Sequence, residues 1–449
     1  MEKSLHKKAI TKTQASIIAV IAIAVMVAII IFGTRFYFGP SAPEAILIGV
    51  PVPLTGPGAQ MGEPIPWIVS YVERAVNGEG GIYVKDYGRK IPIKFIVKDT
   101  QGDFDLTAAA TEELITKDKV SLVLVPIGAL AMPAAGMKAE KYGVPAILHF
   151  CPPTAIELVG PSKWIYYTTW SFAEEAIMML EAYDKIETNK VIAGLWVNNP
   201  NGQLDRSVML SYAEKKGFKV VDLGLYSPGI TDFSPYIERM KAAKADICHA
   251  YCWLEEAPIF WRQCREMGYV PKLAFIGMGA IEPSNLVALG GDLGLGLLSW
   301  TMFSPALPFR ESITGKIVKE LYDMYTRDTG KVAGVNMASY VGFEIAVDVL
   351  RRAQSLDREA IIRALADTNL DTAWGNINFK KPYSSLQREL YAQWEPILLE
   401  QEDRICVLPN AVGQWVKEDG QWVSKIVYSW IYEDVIPVQK EITPIPGSE

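Results

Sequence analysis

Short apolar runs alternate with longer amphipathic stretches along most of this chain. Residues 46–50 form an apolar run long enough for one buried strand, and residues 51–58 then hold three prolines and two glycines, which forbid regular structure. A helical period follows over residues 64–77. Strand, glycine-rich loop and helix are the first half of a βαβ unit, so we expect small ligands to bind at the loop of residues 54–62.

The same alternation continues and then starts again after residue 171. Predicted strands lie at residues 46–50, 91–97, 120–125, 146–149, 191–197, 219–225, 246–251 and 273–276. Helical stretches of about ten residues separate them, which is typical of parallel sheets covered on both faces. The pattern therefore predicts an α/β fold with two Rossmann-like lobes of similar plan.

The C-terminal third has a different character. Helices are predicted at residues 311–328, 335–353 and 357–367, a return strand at 372–379, and further strands at 390–398 and 405–416. Residues 417–420 read as a hairpin turn. The last dozen residues are rich in proline, and we expect them to be frayed.

The N-terminus predicts a membrane anchor. No charge occurs between Lys12 and Arg35, and an apolar run of this kind approaches the ~20 residues that cross a bilayer. Four lysines precede the run, so the positive-inside bias predicts a single-pass protein of the cell membrane with its N-terminus in the cytoplasm. The alternative is a cleaved signal peptide, whose apolar run would be shorter. The predicted boundaries are 1–14 for the cytoplasmic N-terminus, 15–38 for the transmembrane anchor and 39–45 for a linker.

Composition and charge exclude several functions. The net charge of −7 argues against a nucleic-acid partner, which would require a basic face. The five cysteines predict no disulfide framework, although a bridge within Cys248, Cys252 and Cys264 is left open. Cys248 and His249 are neighbours on a predicted strand and point to opposite faces, so no metal site is predicted. No catalytic motif is present, and we expect neither enzyme activity nor a cofactor.

A series of short motifs carries a family resemblance. They are residues 53–56 (PLTG), 59–62 (AQMG), 80–82 (GGI), 99–103 (DTQGD), 142–145 (YGVP) and 231–234 (TDFS). In order and spacing, residues 46–398 resemble the substrate-binding proteins of branched-chain amino-acid (Leu/Ile/Val) ABC transporters, which have the type I periplasmic-binding-protein fold. The resemblance implies two lobes that close on a ligand by hinge bending.

The resemblance also implies lobe boundaries and partners. Lobe one is expected at 46–169 and 299–379, lobe two at 170–298 and 380–435, a tail at 436–449, and the three crossovers near 168–171, 298–300 and 379–383. The protein would be a monomer that delivers a small organic solute to ABC permease and ATPase subunits. The alternative function is a ligand-sensing ectodomain that acts on a membrane signalling partner.

Ten positions in the loops and at the first crossover are candidate ligand contacts. They are Met61, Gly128, Ala129, Pro152, Thr154, Trp170, Asn201, Trp253, Met278 and Gly279. The resemblance places a carboxylate-binding hydroxyl at Gly128, which has none, and another at Thr154, which keeps it. The acidic residue that pairs the ligand's ammonium falls at Gly279, and Glu282 would reach in only from a displaced loop.

The missing acid changes the expected ligand. A buried ammonium group without a carboxylate partner is penalised by several kcal/mol. We therefore expect a neutral amide or an apolar carboxylate rather than a simple branched-chain amino acid, because such ligands suit Thr154, Asn201 and Trp253. Purely structural roles are the alternatives: Thr154 would cap a turn, and the tryptophans would fill the core or the hinge.

Overall fold

The computed structural model describes residues 12–37, 41–56, 58–128 and 131–448. Its strands are β1 (Ile46–Val52), β2 (Ile82–Val84), β3 (Arg89–Ile91), β4 (Ile93–Asp99), β5 (Leu122–Val125), β6 (Ala146–Leu148), β7 (Ile165–Thr169), β8 (Val191–Val197), β9 (Lys219–Tyr226), β10 (Ile247–Tyr251), β11 (Leu273–Phe275), β12 (Leu298–Trp300), β13 (Asn369–Thr372), β14 (Gly375–Asn378), β15 (Ile405–Val407), β16 (Val412–Glu418) and β17 (Gln421–Tyr428).

Helices connect most of these strands. They are α1 (Lys12–Tyr37), α2 (Ala59–Gly62), α3 (Ile65–Gly78), α4 (Phe104–Thr116), α5 (Met132–Tyr142), α6 (Pro153–Val159), α7 (Phe172–Tyr183), α8 (Pro200–Lys215), α9 (Ser234–Ala242), α10 (Glu256–Glu266), α11 (Pro283–Leu289), α12 (Val318–Thr329), α13 (Tyr340–Ala353), α14 (Arg358–Ala366), α15 (Ser385–Trp394) and α16 (Ile397–Glu400).

Two large sheets define two lobes. The sheet of lobe one has the order β15-β7-β6-β5-β1-β4 and is parallel throughout. The sheet of lobe two has the order β17-β16-β12-β11-β10-β8-β9 and is antiparallel only along β16, which pairs with β12 and β17. The predicted α/β fold with two parallel sheets is confirmed.

Local sequence explains how the first elements form. Strand β1 buries nearly every side chain, as a central strand covered on both faces must. Helix α3 begins after Pro64, where proline is tolerated, and buries Ile68 and Val72 completely. Each such side chain contributes about 1.5–3 kcal/mol to folding through removal from water. The side chain of Asp103 caps α4 by accepting the Leu106 N–H at 2.8 Å.

The chain passes between the sheets three times. The first passage joins β7 to α7 at residues 170–171, within the predicted range. The second follows β12 and leads to α12, which packs on lobe one through Trp67 and Tyr325. The third passage joins β15 to β16 across residues 408–411. The prediction of a third crossover at 379–383 is therefore wrong, and residues 380–435 are shared between the lobes.

The cause of this error lies in residues 384–416. The segment 390–398, predicted as a strand, is helical because Ser384 and Gln387 form a reciprocal capping box that starts α15. The run 405–416, predicted as one strand, is interrupted by Pro409 and becomes β15 and β16 in different sheets. The predicted hairpin is present, and Asp419 and Gly420 both adopt positive φ in its two-residue turn.

Three smaller elements also differ from expectation. Helix α12 begins at Val318 rather than residue 311, and the predicted return strand is the β13–β14 hairpin. The tail is not frayed, because Ile442 and Ile445 are buried and the Ile445 N–H donates to the Lys272 carbonyl at 2.9 Å. All five cysteines are free and buried.

The predicted anchor segment is helical as α1. Among the residues that the structure describes, however, no helix combines the length and apolar character that crossing a membrane requires. The prediction of a single-pass transmembrane anchor at 15–38 is therefore not supported. The predicted cytoplasmic segment 1–14 and linker 39–45 lie partly outside the described residues.

Candidate functional site

The loop after β1 is held in place by one carboxylate. Asp99, at the end of β4, accepts the N–H groups of Leu54 at 2.9 Å and Gln101 at 3.0 Å, and the Thr55 hydroxyl at 2.5 Å. Burial opposes ionisation, but these hydrogen bonds outweigh it and lower the pKa of Asp99 to about 2. The anchored loop leads into α2, which faces lobe two.

Two predicted residues meet across the cleft between the lobes. Thr154, in the first turn of α6 in lobe one, donates its hydroxyl to Oδ1 of Asn201 in lobe two at 2.7 Å. Asn201 is 4% exposed, and its position is fixed because Asn199 caps α8 by accepting the Gly202 N–H at 2.8 Å. The loops after β6 and β8 therefore lie in direct contact.

A second polar contact joins the lobes beside α2. Gln60 donates its side-chain amide to the hydroxyl of Ser284, at the start of α11, at 2.8 Å. The backbone carbonyl of Gln60 accepts Nδ2 of Asn336, in the turn before α13, at 3.1 Å. Together with the Thr154–Asn201 hydrogen bond, the Gln60–Ser284 contact defines a closed arrangement of the lobes.

Three further candidate residues of lobe one are described by the structure, and a fourth is not. Met61 is 7% exposed, and an added Cβ at Gly128 would come within 3.2 Å of Met132. Ala129 lies outside the described residues. Pro152 is buried, and its carbonyl already accepts the Ala155 N–H at 2.9 Å. The Pro152 carbonyl is therefore a weaker acceptor for a ligand than its place in the loop suggests.

Aromatic side chains continue from the cleft into the first crossover. Trp170 is 7% exposed and packs on Phe150 and Phe172 with ring centroids 4.7 and 5.5 Å away. In the part of the chain that the structure describes, the buried Nε1 of Trp170 has no hydrogen-bond partner. Trp253 is partly exposed, and its backbone N–H donates to the Tyr226 hydroxyl at 3.1 Å. Trp170 therefore places an unused indole donor at the first crossover.

Gly279 lacks a side chain for a packing reason. An added Cβ would lie 1.9 Å from the Cβ of Ala257 on α10, so position 279 faces that helix closely. The neighbouring Met278 is held because its N–H donates to the Cys252 carbonyl at 3.0 Å. A carboxylate at position 279 would require α10 to move.

The nearby acid Glu282 is engaged elsewhere. Its carboxylate accepts the Asn336 N–H of lobe one at 2.6 Å and lies against Gly334, where an added Cβ would overlap Oε2. Burial raises the pKa of Glu282 to about 8, and the neighbouring Glu63 adds to the shift. Glu282 therefore joins the two lobes and is not a free partner for a ligand's ammonium group.

Two acids on α7 are buried, although the default expectation for an acid pair on a helix is a solvated face. Glu174 and Glu175, in the first turn of α7, are 3% and 1% exposed. Glu175 accepts the Asn410 amide at 2.5 Å, while its Oε2 has no partner among the described residues. Burial, reinforced by the nearby Asp205, raises the pKa of Glu175 well above its usual value. The sequence feature that could have indicated this burial is the crossover at Ser171, because the first turn of α7 directly follows it.

Comparisons with known proteins agree with this architecture. The profile of the periplasmic binding protein family matches residues 45–394. A Leu/Ile/Val-binding protein homolog 3 of Brucella melitensis biotype 1 is 23% identical over 358 residues, which cover 78% of this chain and 91% of that protein.

Two solved structures have a similar fold. LivJ, the branched-chain amino-acid transporter substrate-binding protein of Streptococcus pneumoniae, in complex with isoleucine, has a TM-score of 0.66 at 17% identity, over 86% of this chain and 99% of that one. A solute-binding protein of an ABC transporter from Rhodopseudomonas palustris BisB5, in complex with 3,4-dihydroxybenzoic acid, has a TM-score of 0.65 at 20% identity, over 90% and 99%. At these identities the likeness shows the fold alone.

Proposed function

This chain belongs to the periplasmic binding protein family and is a solute-binding protein of the ABC-transporter type, not an enzyme; we propose that it carries an apolar or aromatic carboxylate, or a neutral amide, to an ABC importer. The family acts outside the cytoplasm. The solute would bind between the lobes and stabilise the closed form by its differential affinity, and the permease would recognise that form.

The observation that carries this proposal is the hydrogen bond between Thr154 and Asn201. It joins loops at the carboxyl ends of parallel strands in two different sheets, where small ligands bind in open α/β folds. A solute that replaces this contact would touch both lobes at once. Such a solute favours closure because its contacts are complete only when the lobes are shut.

The charges around the cleft support the proposed solute class. Gly279 has no room for a carboxylate beside Ala257, and Glu282 is committed to Asn336. Burial raises the pKa of Glu175 well above its usual value, which disfavours the ionised form that would pair with an ammonium group. An amino acid would therefore bury its ammonium at a cost of several kcal/mol.

The available donors suit an acid or an amide. The Thr154 hydroxyl and the unpartnered Nε1 of Trp170 can both donate a hydrogen bond to a solute. Phe150 and Trp170 add aromatic surface on which a planar solute would pack. The 3,4-dihydroxybenzoic acid bound to the Rhodopseudomonas palustris protein is an acid of this kind.

A thermal-shift screen of the full chain tests the proposal. Branched-chain amino acids, aromatic carboxylates and neutral amides are compared, because a ligand at 100 times its Kd adds ~2.7 kcal/mol of stability. We expect stabilisation by a carboxylate or an amide, and a smaller shift in Thr154→Val. Stabilisation by leucine, isoleucine or valine alone would contradict the proposed solute class, and an exposed Leu158→Ala variant serves as the control.

A further inference from the structure

A cavity of about 670 Å³ lies between the lobes beside Glu282, whose neighbours Ile281 and Pro283 line it. Its walls come from the second crossover (residues 301–306), from α12, from residues 332–335 before α13, and from the β16–β17 hairpin. None of the candidate ligand contacts that the structure describes lines it. Its volume falls within the range of small-molecule sites, ~300–1,000 Å³.

Aromatic side chains form much of the wall. Lobe one contributes Tyr322, which stacks on Phe303 with ring centroids 5.3 Å apart and donates its hydroxyl to the Phe303 carbonyl at 2.9 Å. Lobe two contributes Trp415 and Trp422, which are 3% and 6% exposed. These rings are held by their own contacts, so the wall is preformed and offers flat apolar surface to a planar molecule.

One buried donor in the wall lacks a partner. Trp300 lines the cavity, is 2% exposed, and packs on Phe275 with ring centroids 4.8 Å apart. Its Nε1 is buried and finds no acceptor among the described residues. Burying an indole N–H without a partner costs roughly 1–3 kcal/mol, which a ligand with an acceptor oxygen would recover.

The charged side chains of the cavity argue for a neutral ligand. Each has a partner of opposite sign: Lys319 with Asp323 at 2.7 Å, Lys425 with Glu418 at 2.8 Å, and Arg327 with Asp328 at 2.9 Å. No cation is left over for an acidic group on the ligand in this part of the chain. The chemistry therefore differs from that proposed for the cleft.

We propose that this cavity is a second ligand site, which binds a neutral planar aromatic molecule through a hydrogen bond from Trp300. Because Tyr322 belongs to lobe one and Trp415 and Trp422 to lobe two, the site is complete only in the closed arrangement. Its occupant stabilises closure independently of the transported solute. The inference does not depend on which solute the cleft carries.

Titration calorimetry of the full chain with coumarin tests the site. Coumarin is a neutral bicyclic aromatic with a carbonyl acceptor, and naphthalene is its counterpart without an acceptor. We expect saturable binding of one coumarin, about fivefold weaker in Trp300→Phe, which removes the N–H donor together with part of the indole ring. Naphthalene measures the loss of ring contact alone, so Trp300→Phe should weaken naphthalene binding less than coumarin binding.

Two further variants make the result decisive. Ala306→Trp fills the cavity from a partly exposed position and should abolish coumarin binding, whereas Leu158→Ala, on the exposed face of α6, should leave it unchanged. Circular dichroism and thermal melting check that each variant is folded. No saturable binding at millimolar coumarin, equal binding to Ala306→Trp, or equal weakening of both probes by Trp300→Phe would overturn the proposal.

Discussion

Closure of the two lobes should depend on pH through Glu282. Its carboxyl group is 6% exposed in the closed form, bound to the Asn336 N–H of the opposite lobe, and has a raised pKa of about 8. When the lobes open, the group returns to water, where its pKa is near the usual 4.5. The closed form therefore binds a proton more tightly, so closure is fully favoured below about pH 4 and weakens as pH rises toward 8.

The size of the effect follows from the two pKa values. A shift from the usual 4.5 to about 8 corresponds to an upper bound of roughly 5 kcal/mol between the protonated and ionised forms. The ratio of closed to open molecules should thus fall by up to tenfold per pH unit within this range. Glu63, Tyr322 and Tyr325 are the ionisable groups that face Glu282, and none of them supplies a compensating positive charge.

The substitution Glu282→Gln removes the titratable carboxyl group. It keeps a side-chain carbonyl oxygen that can accept the Asn336 N–H. Spin labels at Met137→Cys in lobe one and Val287→Cys in lobe two would report the inter-lobe distance, since both sites are exposed and all five native cysteines are buried. We expect the parent protein to open between about pH 5 and pH 8 and Glu282→Gln to remain closed over that range. The exposed Glu238→Gln is the matched control. Identical distances in Glu282→Gln and the parent protein across this range would refute the reasoning.

Three further predictions concern single contacts. Asp99→Asn should lower stability by roughly 1–2 kcal/mol in denaturant unfolding, and because the pKa of Asp99 is lowered to about 2, the loss should vanish as pH falls from about 4 toward 2. Gly279→Ala should cost roughly 1–3 kcal/mol by overpacking, and adding Ala257→Gly should restore much of it in a double-mutant cycle; simple additivity would contradict the geometry. Thr154→Val should weaken solute binding about fivefold in calorimetry, and unchanged affinity would remove Thr154 from the site.

Much of the fold could be predicted from the sequence because its signals are local. The apolar runs of β1 and β8 are bounded by turn residues, and Asp103 and Asp357 cap α4 and α14 as short-range rules require. The third crossover could not be predicted, because the pairing of β15 with β7 joins residues far apart in the chain. Short apolar runs also suit helix and strand equally, which explains the error over 390–398.

The contact between two of the candidate residues could be anticipated from the sequence, but the chemistry around them could not. Loop order brought Thr154 and Asn201 to the same cleft, and the structure joins them by a hydrogen bond. Sequence could not reveal that Gly279 faces Ala257 or that Glu282 reaches across to lobe one, since both depend on the packing of distant helices. The burial of Glu175 was likewise hidden, because a helical acid is solvated unless another element covers it.

The central claim is that the cleft binds a solute without a partner for an ammonium group. Calorimetric titration of the full chain with leucine, isoleucine and valine, beside aromatic carboxylates such as 3,4-dihydroxybenzoic acid, tests it most directly. The account predicts saturable binding of a carboxylate that is weakened in Thr154→Val, and no comparable binding of the three amino acids. Micromolar binding of leucine, isoleucine or valine would contradict it.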